Sequence, residues 1–127
     1  MGAVGARGRR IEPLSASMHV AGPVATIALS GELDRSSIGR FWRFLLPAHR
    51  PGIDRVVLDL DRLAFLDSAG LVEILRAAGD LRRLGAELVV ARPTRSTRRL
   101  LEVTGVAGRL SIEPPLRSLD DVAPRAS

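Results

Sequence analysis

An alternation of strand-like and helix-like segments along the middle of the chain is the feature that most restricts its fold. Residues 56–60, Val-Val-Leu-Asp-Leu, form a short apolar run that is typical of a strand buried on both faces. Residues 69–84 then place apolar side chains on one helical face and charged ones on the other. Because a further strand-like segment at 87–91 follows closely, the pattern predicts a right-handed crossover within a mainly parallel sheet.

The flanking segments extend the same alternation. Residues 14–20 and 24–29 are expected to be strands, and only a tight turn at Gly22 and Pro23 separates them, which predicts an antiparallel hairpin at one edge of the sheet. The remaining predicted elements are a helix over 38–46 capped by Ser36 or Ser37, a helix over 95–104 capped by Thr94, and a last strand over 110–112. The predicted order is ββαβαβαβ. It defines an α/β domain with a single mixed, mainly parallel β-sheet and packed helices.

The 127 residues suit one domain, which we assign to 14–113. Residues 1–13 are mostly Gly, Ala and Arg without periodicity, and we expect a flexible arm there. Two consecutive prolines open a C-terminal tail, 114–127, whose residues 116–122 are compatible with a short helix.

Composition excludes several classes of function. All nineteen basic side chains are Arg, and the absence of Lys and Cys removes lysine and thiol chemistry together with disulfides. With two histidines and no cysteine we expect no metal catalysis. The net charge of +5 is spread out and aromatic residues are 3%, so no direct nucleic-acid partner is expected. No apolar run reaches the roughly 18 residues of a membrane span, and no secretory signal is present, which predicts a cytoplasmic protein of unspecified oligomeric state.

Ser68 is the candidate for function. Residues 61–70 are expected to form the loop from the central strand into the second helix, and ligands collect beyond the carboxyl ends of parallel strands. Either Asp67 or Ser68 would be the N-cap of that helix, and the N–H groups of the first turn would accept a phosphate on Ser68. An ordinary capping serine is the alternative, and spacing alone does not separate the two readings.

Three carboxylates are expected near Ser68. Asp34, Asp59 and Asp67 lie at or just past predicted strand ends on one rim of the sheet. A phosphate would make this rim strongly anionic and would weaken the docking of a partner, which describes a switch for binding rather than for catalysis. Each carboxylate also has a plain structural reading, as a helix cap, a turn residue or an acceptor for loop amides.

Other clusters favour structural roles. A cationic stripe on the third predicted helix consists of Arg95, Arg98, Arg99 and Glu102, and a solvated face is favoured over a partner or lipid site. The aromatic cluster Phe41, Trp42 and Phe44 favours core packing. An enzyme with Ser68 as nucleophile lacks a base, because neither His19 nor His49 has an evident partner. We therefore expect no enzyme.

Four strings of residues together resemble a known family. They are Gly31-Glu32-Leu33-Asp34, Arg55-Val56-Val57-Leu58-Asp59-Leu60, Phe65-Leu66-Asp67-Ser68-Ala69-Gly70-Leu71 and Arg98-Arg99-Leu100-Leu101-Glu102-Val103-Thr104-Gly105-Val106. In this order and at these intervals they resemble a STAS domain of the bacterial anti-sigma-factor antagonist type. The resemblance covers about residues 14–113.

The resemblance implies a function. In such antagonists a serine-kinase anti-sigma factor phosphorylates the serine at the position of Ser68, and only the unphosphorylated form binds that kinase and releases sigma. A phosphatase resets the switch, and the antagonist needs no cofactor of its own. The resemblance assigns Asp34, Asp59, Asp67, Ser68, Ala69 and Gly70 to the partner-binding surface.

A second implication stays open. An Asp-Ser-Ala-Gly string also resembles STAS subunits of lipid-transport complexes, which act as scaffolds without a phosphorylation cycle. A scaffold subunit of a stress-signalling complex is the same kind of alternative. The Gly-Glu-Leu-Asp string at 31–34 is usual in antagonists and favours the first reading.

Overall fold

A computed structural model describes residues 12–113. Five strands and three α-helices follow one another in the predicted order ββαβαβαβ. The strands are β1 (Ser15–Ala21), β2 (Val24–Leu33), β3 (Arg55–Leu66), β4 (Glu87–Ala91) and β5 (Ser111–Glu113), and the helices are α1 (Ile38–Leu45), α2 (Ser68–Arg83) and α3 (Arg95–Thr104). None of these helices is both long and apolar enough to cross a membrane. The predicted tail helix over 116–122 lies outside the described residues.

The strands form one sheet in the order β1-β2-β3-β4-β5. The β1 and β2 strands pair antiparallel, and every later pair is parallel. Gly22, with φ of +59°, opens the two-residue turn of the hairpin, a position where a left-handed conformation favours glycine. The predicted mixed sheet, with β1 at one edge and β3 at its centre, is confirmed.

All three helices pack on one face of the sheet. Each parallel strand lies next to the one before it, and right-handed connections in that order send every helix to the same side. Burial alternates along β3 accordingly, since Val56, Leu58 and Leu60 are buried whereas Val57 and Asp59 are half-buried. The prediction that this strand is buried on both faces is wrong, because helices cover only one of them.

The α2 helix lies between α1 and α3. Phe41 of α1 and Ile74 of α2 belong to one core cluster with the helix-facing residues of β2 and β3. A second cluster joins Leu71 of α2 to Leu101 of α3. Phe41 is fully buried, while Trp42 and Phe44 are partly buried against the core, so the aromatic cluster packs inside the molecule as the sequence favours.

The β2 and β3 strands run further than predicted. The sequence places their ends at Leu29 and Leu60, whereas the pairing continues to Leu33 and Leu66. Register shifts after Ala28 and after Gly31 accommodate extra residues of β3. Residues 61–66, expected to be a loop, are therefore strand, because the bulges let polar side chains reach solvent without ending the ladder.

Glu73 is buried, although helical periodicity places it on the charged face of α2. The indole Nε1 of Trp42 donates a hydrogen bond to its carboxylate at 2.9 Å, and Arg76 lies 3.7 Å from it. This contact ties α1 to α2, and it forms only once the two helices are side by side. Asp80, further along the same helix, pairs with Arg83.

The beginning of the described chain packs against the end of β2. The amide of Glu32 donates to the carbonyl of Glu12 at 3.2 Å. Gly31 has φ of +93°, and a Cβ there would collide with the carbonyl of Pro13. Residues 12 and 13, which the sequence analysis places in the arm, thus contact the sheet, and Gly31 is the residue that permits the approach.

Candidate functional site

Ser68 is the first residue of α2 and is exposed. Its hydroxyl makes no hydrogen bond to any residue from 12 to 113. The N-cap is Asp67, whose carboxylate accepts the amide of Gly70 at 2.9 Å. Of the two cap candidates, Asp67 therefore performs the structural role, and the Ser68 hydroxyl is available to another molecule.

The beginning of α2 is held against the end of β2. The amide of Asp67 donates to the carbonyl of Leu33 at 3.4 Å. A Cβ on Gly70 would lie 2.6 Å from that carbonyl oxygen and 2.8 Å from Cδ1 of Leu66. Gly70 is buried and gives the helix its close approach, so it positions Ser68 from behind. Ala69, between them, is half-buried.

Asp34 lies at the same end of the sheet. It follows Leu33, which pairs with Leu66, so Asp34 and Asp67 come directly after neighbouring strand ends. The Asp34 carboxylate accepts the amide of Ser36 at 2.9 Å and its hydroxyl at 2.6 Å, and caps a 3-10 turn before α1. The structure therefore brings these two carboxylates to the Ser68 end. Ser37 occupies the N-cap position of α1, one of the two predicted, but its side chain makes no capping bond there, and Asp34 caps the preceding 3-10 turn.

Asp59 does not join this rim. It pairs with Ala28, five positions before Leu33, which is roughly 17 Å at about 3.3 Å per residue. Its side chain also lies on the sheet face away from the helices. There its carboxylate accepts Nη2 of Arg92 at 2.6 Å and Nε of Arg92 at 3.2 Å, and the amide of Asp61 at 3.1 Å.

The charge of Asp59 is stabilised by these neighbours. Burial alone would raise the pKa of its carboxyl group, but the hydrogen bonds from Arg92 and Asp61, with the charges of Arg92 and Arg62, outweigh it and lower the pKa below its ordinary value. Arg92 has φ of +51°, and its amide donates to the carbonyl of Glu113 in β5. The Asp59–Arg92 pair thus joins β3 to the end of β4. No local sequence pattern indicates this pair, because the two residues are 33 positions apart and meet only through the β3–β4 pairing.

Two exposed apolar side chains lie near Ser68 along the chain. Phe65 is 41% exposed at the end of β3, and Val72 is 43% exposed one helical turn after Ser68. Neither residue is among the site residues predicted from the sequence. Val72 is four residues after Ser68 along α2. This spacing places Ser68 and Val72 on the same side of the helix. A partner that docks on Ser68 would meet apolar surface beside it.

The other sequence candidates lie elsewhere. Arg95, Arg99 and Glu102 of α3 are exposed and Arg98 is half-buried. His19 is on the edge strand β1, and His49 precedes β3, at the opposite end of that strand from Ser68. Neither histidine therefore lies at the Ser68 end of the sheet.

The fold and the site define a small α/β domain with an exposed serine at a capped helix start. The family described as "Mlab, STAS domain" matches residues 17–116. The chain therefore belongs to the STAS-domain family.

Comparisons with individual proteins agree with the family. The chain is 40% identical over 72 residues to BtrV of Bordetella bronchiseptica, named an anti-sigma factor antagonist, and the match covers 57% of this chain and 60% of that relative. The anti-sigma factor antagonist SpoIIAA in its unphosphorylated form has a TM-score of 0.63 at 17% identity over 87% of this chain and 95% of its own. The Bacillus cell fate determinant SpoIIAA in the phosphorylated form has a TM-score of 0.59 at 17% identity over 89% of this chain and 100% of its own. The structural likenesses show that the fold is shared.

Proposed function

We propose that this STAS domain is an anti-sigma-factor antagonist whose Ser68 is phosphorylated by a serine-kinase anti-sigma factor. The unphosphorylated form binds that kinase and releases sigma. The observation that carries the proposal is the exposed Ser68 hydroxyl, placed at a helix start whose cap is provided by a different residue. The antagonist name of the 40% identical relative supports the same reading.

Phosphorylation of Ser68 is compatible with the fold. Asp67 already caps α2, so modification of Ser68 removes no capping bond. The first-turn N–H groups and the positive end of the helix dipole favour the new negative charge. The domain can therefore carry the phosphate without unfolding, which is the requirement for a reversible switch.

The phosphate opposes the partner through charge. It adds about −1.5 to −2 charges at neutral pH beside Asp67 and at the same sheet end as Asp34. A partner that contacts the neutral hydroxyl would then meet desolvation and repulsion of a few kcal/mol, which is about a hundredfold or more in affinity. Asp59 takes no part, because it lies on the other sheet face and is paired with Arg92.

The chemistry belongs to the partners. The kinase brings ATP and transfers its γ-phosphoryl group to Oγ of Ser68, which yields ADP and phosphoserine, while the serine proton passes to a base of the kinase. A phosphatase hydrolyses the ester and restores the hydroxyl. This chain is then a binding module without a cofactor of its own.

Incubation of the full chain with the candidate kinase and Mg-ATP tests the proposal. We expect intact-mass spectrometry to show one added phosphate, and peptide mapping to locate it on Ser68. The Ser68→Ala variant should take up none, whereas Ser17→Ala, at another exposed serine, should react as the wild type does. Uptake by Ser68→Ala at the wild-type rate would overturn the assignment.

A scaffold subunit without a phosphorylation cycle is the second candidate. The family description, "Mlab, STAS domain", and Ala69 in the Asp-Ser-Ala-Gly string favour it. A transport or stress-signalling complex that co-purifies equally with wild type and Ser68→Asp would identify this role.

A further inference from the structure

We propose that β1 is a dimerisation edge, along which a second copy of this chain pairs antiparallel through a two-fold axis at Met18. Within residues 12–113, β1 has a strand partner only on its β2 side. In an antiparallel ladder every second residue of an edge strand directs its N–H and C=O groups outward. Among the described residues, every second residue of Ser15–Ala21 therefore offers an unpaired donor and acceptor along the outer edge.

The β1 edge lacks the features that usually prevent an edge strand from pairing with another chain. Its sequence, SASMHVA, contains no Asp, Glu, Lys, Arg or Pro. Natural sheets usually protect such an edge with charged side chains, proline or a bulge. The register with β2 is continuous over all seven residues, so no bulge interrupts it. A second strand can thus approach without burying a charge.

The β1 edge is complementary to the β1 edge of a second copy. Paired residues in an antiparallel ladder must lie on the same face, and a two-fold axis at Met18 satisfies this for the whole strand. Ala16 then faces Val20 of the second copy, and Met18 faces Met18. These three side chains share the helix-covered face, and Met18, 39% exposed in the single chain, would be buried between the two copies. On the other face Ser17 meets His19.

The dimer leaves the Ser68 end accessible. The β1 strand is the outermost strand of the sheet, and Ser68 follows β3, two strands away. The inference therefore does not depend on the proposed phosphorylation. One seven-residue strand pair is small beside the roughly 1,200 Å² of a stable interface, so we expect a weak dimer seen at high micromolar to millimolar concentration.

Disulfide trapping tests the register directly, because the chain has no cysteine. In the proposed dimer the two Met18 residues face each other, within the Cα separation that a disulfide spans. Met18→Cys should cross-link rapidly under mild oxidation. Ser15→Cys is the matched control on the same strand, since its two copies would be six positions apart, about 20 Å. Val103→Cys, on α3 and 76% exposed, controls for random collision.

Sedimentation of the full chain over the same concentrations gives an independent reading. The wild-type average mass should rise toward twice the monomer value, and Met18→Lys should stay monomeric. Val103→Lys, which adds the same charge elsewhere, should associate as the wild type does. Cross-linking of Met18→Cys no faster than of Ser15→Cys or Val103→Cys, or a mass that stays monomeric at every concentration, would overturn the proposal.

Discussion

At the scale of single residues, Ser68 differs from most serines of the domain. The hydroxyls of Ser36 and Ser37 bond to Asp34 and to the carbonyl of Glu32, and Ser111 bonds to Glu87. Ser15 and Ser30 bond to each other, and Ser96 bonds to Thr94. Within residues 12–113 only Ser17 and Ser68 have hydroxyls without such a bond, and Ser68 alone of the two begins a helix. The proposed phosphorylation would therefore break no hydrogen bond of the Ser68 hydroxyl.

Asp59 provides a test at the same scale. Because its folded pKa lies below the unfolded value of about 3.9, its ionised form stabilises the fold above that value, and this contribution is lost as the pH falls through the folded pKa. Asp59→Asn should lower the free energy of unfolding at pH 7 by a small amount. The difference from wild type should shrink as urea unfolding is repeated from about pH 5 down to pH 3.

The partner residue supplies the control. Arg92→Gln removes the cation at position 92. The difference in unfolding free energy between this variant and wild type should therefore decline over the same acidic range. If Asp59→Asn and wild type differ by the same amount at every pH, the stabilising ion pair is absent.

The position of Asp59 shows which features of a site residue can be predicted from local sequence patterns and which cannot. Alternation within 56–60 already places Asp59 opposite Leu58 and Leu60, and this signal was available. The apolar character of the whole run, which is typical of a strand buried on both faces, points the other way. The pairing with Arg92 was not available, because residues 33 positions apart meet only through the β3–β4 register.

At the scale of elements, the approach of α2 to β2 depends on Gly70. A methyl group there would lie 2.6 Å from the carbonyl oxygen of Leu33. Gly70→Ala should therefore displace the helix start and destabilise the domain by about 1–3 kcal/mol, a typical overpacking cost. Chemical denaturation of the variant measures the loss.

Gly79 is the matched control in the same helix. A Cβ there has no atom within 4 Å, so Gly79→Ala should stabilise α2 by up to about 1 kcal/mol through helix propensity. Equal stabilisation by both substitutions would show that the close contact at Gly70 does not hold Ser68 in place.

Elements with strong local signals were predicted closely, and the others were not. The Thr94 cap and the left-handed Gly105 fix both ends of α3, which matches 95–104. The extension of β3 to Leu66 was missed, because bulges break the two-residue period on which strand prediction relies. Burial of Glu73 was missed because its partner, Trp42, is on another helix.

For the whole molecule, the sequence predicted the topology of the sheet better than it predicted which side chains are exposed. Short strand, helix and strand intervals predicted the parallel sheet, and the Gly22 turn predicted the antiparallel edge. The sequence did not predict that all three helices pack on one face of the sheet, and this arrangement decides which surfaces are exposed to solvent. The resulting domain separates the Ser68 end of α2 from the β1 edge, so the proposed phosphorylation and the proposed self-pairing would use different surfaces.

The most direct test of the account is the affinity of the kinase anti-sigma factor for the unphosphorylated and the phosphorylated chain, measured by calorimetry. Phosphorylation should weaken binding about a hundredfold or more, Ser68→Asp should weaken it in the same direction, and Ser68→Ala should bind as the unphosphorylated wild type does. Equal affinity for all four proteins would contradict it.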